Sequence, residues 1–259
     1  MSLFFNSKFQ GFVHRGDATI YTENTIEAFK EAANLGFQYI ESDLRRTKDG
    51  KIITFHDPRM QRITGSRANI NEMTLANIRM QRLPKKERIP TLDELLEEFP
   101  ETFFNLDLKV SGMVAEVLKK LKTHNAEDRV CLGSFSSNTI REINSMNPKI
   151  NTSMGQSQVA LFRFFNIKND SNAIQIPVKW MGIKVLTKEF LNTCHENGLK
   201  VHVWTINEET SMQNLLNMGV DGIMTDNPPA LMKLMKRNKL MEFFGIIHKT
   251  SKPGINNNN

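Results

Sequence analysis

Tyr39-Ile40-Glu41-Ser42-Asp43-Leu44-Arg45 is the stretch on which the reading of this chain turns. Tyr39 and Ile40 favour a pleated backbone, so the segment reads as a short strand. Side chains alternate across a strand, which turns Glu41 and Asp43 to one face. Two carboxylates about 7 Å apart on one face repel unless something neutralises them. Taken alone, the pair fits a solvated edge strand as well as a charged site. Its surroundings separate the two readings.

Upstream, Gly11-Phe12-Val13-His14-Arg15-Gly16 reads as a strand ending in a polar, glycine-hinged tip. Residues 25–35 carry apolar positions near the helical period, with Thr25 at the start and Gly36 as a stop. Downstream, Lys48-Asp49-Gly50 is a turn signal, and Ile52-Ile53-Thr54-Phe55 a further strand ending in His56-Asp57-Pro58. From 58 to 90 periodicity is poor, with a short helix predicted around 74–81. Thr91 and Glu94 then form a capping box that opens a helix. Phe103 to Val110 reads as a strand with Asn105, Asp107 and Lys109 on one face.

The second half alternates regularly. Strands are predicted at 130–135, 150–154, 173–176, 200–204 and 222–224. Helices are predicted at 138–146, 157–165, 187–197, 208–217 and 228–240, the last with Pro228 in its first turn. About eight strand-then-helix units in 259 residues predict an α/β protein, a TIM (β/α)8 barrel, with the stretch from 58 to 90 a loop-rich excursion. A doubly wound open sheet is the competing arrangement. One domain is expected over 8–249, with the insertion at about 58–90 and a low-complexity, disordered tail at 250–259.

Net charge is +6 and the sequence pI about 9.3. That suits an anionic substrate, an anionic membrane surface or nucleic acid without choosing among them. No basic motif interleaved with aromatics is evident, so nucleic acid is not an expected partner. Cys131 and Cys194 are far apart and lack metal-type spacing. The N-terminus lacks the pattern of a signal peptide, and a cytoplasmic location is expected. Near the C-terminus, apolar residues from Leu231 to Ile247 mix with Lys233, Lys236, Arg237, Lys239 and Lys249. That segment is a candidate for peripheral membrane contact, the alternative being a terminal helix packed on the barrel.

Chemistry in such barrels gathers at the C-terminal strand ends. His14-Arg15, Glu41 with Asp43, His56-Asp57, Asp107 with Lys109, and Trp204 all fall there. Three oxygen-donor carboxylates suit a hard divalent cation, Mg²⁺ or Ca²⁺. Arg15 and Lys109 supply positive charge for phosphate oxygens. Two histidines that titrate near neutrality suit proton transfer on either side of phosphorus. Trp204 offers a flat wall for the alcohol portion of a substrate or a quaternary ammonium. Together these parts suit phosphodiester cleavage.

The chain resembles the glycerophosphodiester phosphodiesterase family, part of the phospholipase C-like phosphodiesterase superfamily. The matches are His14-Arg15-Gly16, Glu23-Asn24-Thr25, Glu41-Ser42-Asp43, Thr47-Lys48-Asp49-Gly50, His56-Asp57 and Ile89-Pro90-Thr91-Leu92. They continue through Asn105-Leu106-Asp107-Leu108-Lys109, Ser134-Phe135, Trp204-Thr205-Ile206-Asn207 and Asp221 to Pro228. The resemblance implies a TIM barrel with a small insertion after the second strand, matching the stretch at about 58–90, and hydrolysis of a glycerophosphodiester to glycerol 3-phosphate and an alcohol. It implies His14 and His56 as the acid/base pair, with His14 the base of the first step or the reverse. Glu41, Asp43 and Asp107 would hold the metal, and Arg15 and Lys109 the phosphate. The glycerol 2-hydroxyl would attack first, giving a cyclic phosphate that water opens.

Two positions depart from the family pattern. Thr22 stands where a Pro usually precedes Glu-Asn-Thr, which is expected to alter loop rigidity. Asp107 stands where the third metal carboxylate is usually Glu, which shortens its reach by one methylene. Related sphingomyelinase D enzymes also use Asp there, but the other motifs fit the glycerophosphodiesterase pattern better. Cleavage of lysophospholipids at the same centre is the nearest alternative. A non-catalytic phosphate-binding protein is a remoter one, which the intact histidine pair opposes.

Overall fold

The computed structural model describes residues 2–241. The predicted tail at 250–259, and the end of the basic apolar segment before it, lie outside the described residues. In chain order the strands are β1 (Gln10–His14), β2 (Tyr39–Arg46), β3 (Ile52–Thr54), β4 (Phe103–Leu108), β5 (Val130–Gly133) and β6 (Asn151–Thr152). They continue as β7 (Ala173–Ile176), β8 (Lys179–Trp180), β9 (Ile183–Lys184), β10 (Lys200–Val203) and β11 (Gly222–Thr225). The helices are α1 (Ile26–Asn34), α2 (Gln61–Thr64), α3 (Leu75–Arg79), α4 (Leu92–Glu98) and α5 (Val114–Thr123). Then come α6 (Ser137–Met146), α7 (Gln156–Phe165), α8 (Lys188–Glu196), α9 (Glu209–Met218) and α10 (Pro228–Arg237).

Eight parallel strands run in the order β6-β5-β4-β2-β1-β11-β10-β7. A single parallel bridge, Ser153 to Ala173, joins the two ends into a barrel. The fold is therefore the expected (β/α)8 barrel. Period two explains its layers. Outward residues such as Val13, Ile40, Phe104, Leu132, Ile174, Val201 and Ile223 meet the helices in one large core. Inward residues change character along the barrel axis. At the N-terminal end Phe12, Tyr39, Phe103, Cys131, Ala173 and Met224 close around Phe4 and Phe5 of a short 3-10 turn. Tyr39 Oη and Gln10 Nε2 both donate to the Phe4 carbonyl, which seats that turn as a plug. At the C-terminal end the same alternation delivers His14, Glu41, Asp43 and Asp107.

The helices begin where local chemistry directs them. Thr25, Ser136 and Thr187 each accept a backbone N–H at the N-terminus of the helix that follows. Thr91 and Glu94 form the anticipated capping box. The insertion leaves from β3, which pairs antiparallel with β2 before the chain departs. It is not featureless: Met60, Ile70, Met73, Ile78, Leu83 and Ile89 pack on Ile53 and Phe55 as a small separate core. Helix α5, absent from the sequence reading, starts at Met113 without a side-chain cap, which is why no start signal marks it. The hairpin β8–β9 carries no sequence signal either, since each strand has two residues. Gly16 has φ +76°, and a Cβ there would lie 2.7 Å from the Ala28 carbonyl carbon. The sharp exit after His14-Arg15 needs glycine for both reasons.

Midway up the barrel, His202 is fully buried against Phe12 and donates from Nε2 to Gln10 Oε1 at 2.7 Å. Burial pushes its pKa down to about 4. An unfolded imidazole titrates near about 6.5. Between those values the unfolded chain takes up a proton that the folded chain refuses, so stability falls as pH falls through that window. The size of the effect is on the order of 3 kcal/mol. The thermal midpoint of the wild type is expected to drop more steeply from pH 7 to pH 4.5 than that of His202→Gln. Parallel pH profiles for the two proteins would contradict this assignment.

Candidate active site

One cavity of about 490 Å³ opens at the C-terminal end of the barrel. It gathers His14, Arg15, Glu41, Asp43, His56, Asp107, Lys109 and Trp204. Every candidate from the sequence thus reaches one pocket. Strand register explains the convergence: His14 lies beside Glu41, and Asp43 beside Asp107. His14 and His56 both approach along one edge of β2, where the Arg15 N–H bonds the Glu41 carbonyl and the Phe55 N–H bonds the Asp43 carbonyl, while β4 holds the other edge.

Each histidine has a carboxylate on Nδ1. His14 Nδ1 lies 2.6 Å from Asp226 Oδ1, and His56 Nδ1 lies 2.7 Å from Asp57 Oδ1. Such a partner fixes the ring and leaves Nε2 turned to the cavity. Their environments differ. Burial works against the His14 charge, but Glu41, 3.8 Å away, and Asp226 outweigh it and the pKa rises. Burial wins at His56, whose pKa falls despite Asp43 and Asp57.

Asp43 is the most heavily engaged carboxylate. Arg15 Nε is 3.1 Å from it, Lys109 Nζ 2.8 Å, and Asn24 Nδ2 donates to it at 2.8 Å. Burial opposes its charge, yet Lys109 and Arg15 hold the carboxyl below its usual range. Lys109 also bridges to Asp107 at 2.5 Å. Its pKa is driven up: burial opposes the charge, and Asp107 and Asp43 overcome it. Glu41 has no such escort. Burial first, then the charge of Asp43, push its carboxyl up to about 8.

Glu41 Oε2 is buried without a hydrogen-bond donor, and Asp43 Oδ1 is met only by the Lys109 ammonium at 2.8 Å. Orphaned carboxylate oxygens are costly, and an all-oxygen donor set fits a hard divalent cation. Glu41, Asp43 and Asp107 are the residues that could hold one. Among the described residues no three potential ligands already converge on one point. The reason is visible: Lys109 draws Asp107 onto its own ammonium. The shorter side chain at 107 is therefore the weakest member of the set.

Several polar residues with no role in the sequence analysis carry this geometry. Asp226, from the end of β11, orients His14 across 212 positions of chain. Asn24, with φ +58°, accepts from Ser42 Oγ and from the Asp43 N–H while donating to the Asp43 carboxylate. Arg15 is also left-handed at φ +62°, a backbone strain held at the pocket mouth. Arg62, from the insertion, makes a two-pronged pair with Glu23 at 2.6 and 2.7 Å and reaches Asp57 at 2.6 Å. Glu23 in turn contacts Arg15 at 3.0 Å. Arg62 is a positioning residue that couples the supports of Arg15 and His56. Only motif membership flagged Asn24, Asp226 and Glu23, and nothing flagged Arg62.

An eight-stranded barrel whose C-terminal rim sets two carboxylate-backed histidines beside acidic and cationic side chains defines a phosphate-ester enzyme class. A family model for the glycerophosphoryl diester phosphodiesterase family matches residues 14–230. The chain belongs to that family and is a phosphoric diester hydrolase of glycerophosphodiesters. It is 30% identical over 238 residues to the glycerophosphodiester phosphodiesterase of Caldanaerobacter subterraneus subsp. tengcongensis, covering 86% of this chain and 96% of the relative. It is 26% identical over 265 residues to a lysophospholipase D of Rattus norvegicus, covering 86% and 84%. Its fold is similar to an Oleispira antarctica phosphodiesterase solved with the product sn-glycerol-3-phosphate, at TM-score 0.76 and 24% identity over 89% and 96% of the two chains.

Thr22 has a use that Pro could not fill. Its N–H and hydroxyl both donate to Glu87 Oε1, at 2.8 and 2.9 Å. The Lys85 N–H donates to Glu87 Oε2 at 2.8 Å. Glu87, buried, thereby ties the loop before α1 to the insertion. Glu87→Ala leaves those donors unpaired and is expected to lower stability by about 1–3 kcal/mol. A urea midpoint unchanged from wild type would show that the tie carries no stability.

Proposed function

We propose that the protein hydrolyses glycerophosphodiesters to sn-glycerol 3-phosphate and an alcohol by histidine acid/base catalysis on a cation-bound phosphodiester. The observation that carries this reading is the arrangement of His14 and His56. Each has its Nδ1 held by a carboxylate, and both line the one pocket that holds Glu41 and Asp43 of β2. A bound Mg²⁺ or Ca²⁺ would polarise the phosphoryl oxygens and ease ionisation of the attacking hydroxyl. Glu41 and Asp43 would hold it chiefly, since Asp107 is shorter than the usual Glu and is engaged by Lys109.

The remaining work falls to side chains already in place. Arg15 and Lys109 lie within the pocket and can take the non-bridging phosphate oxygens. One histidine accepts the proton of the glycerol 2-hydroxyl as it attacks phosphorus. The other donates a proton to the departing alcohol. The roles reverse when water opens the cyclic phosphate. Trp204 stacks edge-on with Phe135, ring centroids 5.9 Å apart, and the two form an aromatic wall for the alcohol portion. A cytoplasmic setting belongs to this reading, and two buried free thiols, Cys131 and Cys194, suit a reducing compartment.

A second substrate reading has its own support. Beyond the charged centre the pocket continues along Val159, Phe164, Trp180 and Ile183, an apolar wall suited to an acyl chain. The rat relative is named a lysophospholipase D. The test is release of sn-glycerol 3-phosphate from glycerophosphocholine and of lysophosphatidate from lysophosphatidylcholine, each with Mg²⁺ or Ca²⁺. His14→Ala and His56→Ala are expected to lower turnover by roughly 10²-fold or more with the thermal midpoint retained. Folded wild type that cleaves neither diester with either ion would overturn the proposal.

A further inference from the structure

We propose that the mouth of the pocket is a docking surface for an anionic phospholipid bilayer, seated through the β8–β9 hairpin and the C-terminal end of α7. Twelve large apolar side chains stand exposed among the described residues, and seven of them fall between Leu161 and Ile183. Singly scattered apolar residues need no explanation, but a contiguous cluster does. Met181 is 89% exposed, Ile183 65% and Trp180 42% on the hairpin, with Phe164 and Phe165 each 70% at the end of α7. Phe164, Trp180 and Ile183 line the same cavity, so the two patches meet at its mouth.

The hairpin is built to present this surface. Lys179 pairs with Lys184 and Trp180 with Ile183, which places the lysines on one face and the apolar pair on the other. Met181 and Gly182, at φ +47° and +82°, form the two-residue turn between them. A Trp and an apolar tip flanked by lysines is the pattern of an interfacial anchor. Arg163 adds a third cation beside Phe164, and Glu189 is the acid that faces Arg163 and Lys184. Charge complementarity therefore selects an anionic surface. A second copy of the chain fits less well, because a two-fold contact would bring these cations against themselves. This surface is distinct from the basic segment after Leu231. It rests on the functional reading only in its consequence, that a lysophospholipid could enter the pocket directly from the bilayer.

The test uses the full chain without substrate, so turnover does not enter it. Co-sedimentation is measured with vesicles of equal parts phosphatidylglycerol and phosphatidylcholine, and with phosphatidylcholine alone. Binding is expected to the anionic vesicles, to weaken with added salt, and to be far weaker on the neutral ones. Lys179→Ala and Lys184→Ala are each expected to weaken partitioning about fivefold. A triple change, Trp180→Ser with Met181→Ser and Ile183→Ser, is expected to abolish it with the circular dichroism spectrum retained. Wild type that stays in solution with anionic vesicles overturns the proposal. Wild-type binding by the triple variant overturns it in favour of another surface. A dimer that the triple change dissolves, without vesicle binding, overturns it in favour of self-association. Wild type that hydrolyses glycerophosphocholine without binding vesicles would leave the functional reading standing, and wild type that binds vesicles without hydrolysing it would leave docking standing.

Discussion

The Asp43 carboxylate is the charge about which the pocket is arranged. It is buried on the inner face of β2, between Arg15 from the first strand end and Lys109 from the fourth strand, and Asn24 donates to it from the loop before α1. A buried carboxylate without partners would neutralise itself rather than stay charged. Three strand ends must therefore close correctly for Asp43 to remain an anion. The barrel provides that closure, and the aromatic plug at the other end, Phe4 under Phe12 and Tyr39, keeps the strands in register.

From that anchor the remaining features follow as compensations. Lys109 is shared with Asp107, so Asp107 is spoken for. Glu41, two residues along the same face, is left with only His14, 3.8 Å away, as a cationic neighbour and an oxygen without a donor. The insertion enters the same account. Through Arg62 it braces the acids beside Arg15 and His56, and through Glu87 it grips Thr22. A segment that reads as irregular is thus a clamp on the supports of the pocket, with its own small core to keep it in place.

What could be read in the chain beforehand was what depends on local pattern. Alternation turned Glu41 and Asp43 to one face, and the strand-then-helix rhythm gave the barrel. Thr91 with Glu94 announced its helix. Contacts distant in sequence left no trace. Asp226 meets His14, and Gln10 meets His202, only because closing the barrel brings β1 beside β11 and β11 beside β10. Helix α5 carried no capping side chain at its start, and two-residue strands are too short for any period to show. The membrane-like features at the pocket mouth stayed hidden for the same reason: Phe164 and Trp180 become neighbours of one cavity only in the fold.

The central claim is that Glu41, with a buried oxygen lacking a donor, and Asp43 together hold one divalent cation. Calorimetric titration of Ca²⁺ and Mg²⁺ into metal-stripped full-length protein tests it directly. The account predicts one ion bound per chain, with affinity lowered at least tenfold in Glu41→Gln. Wild type that binds neither ion, or a Glu41→Gln protein that binds as wild type does, would contradict it.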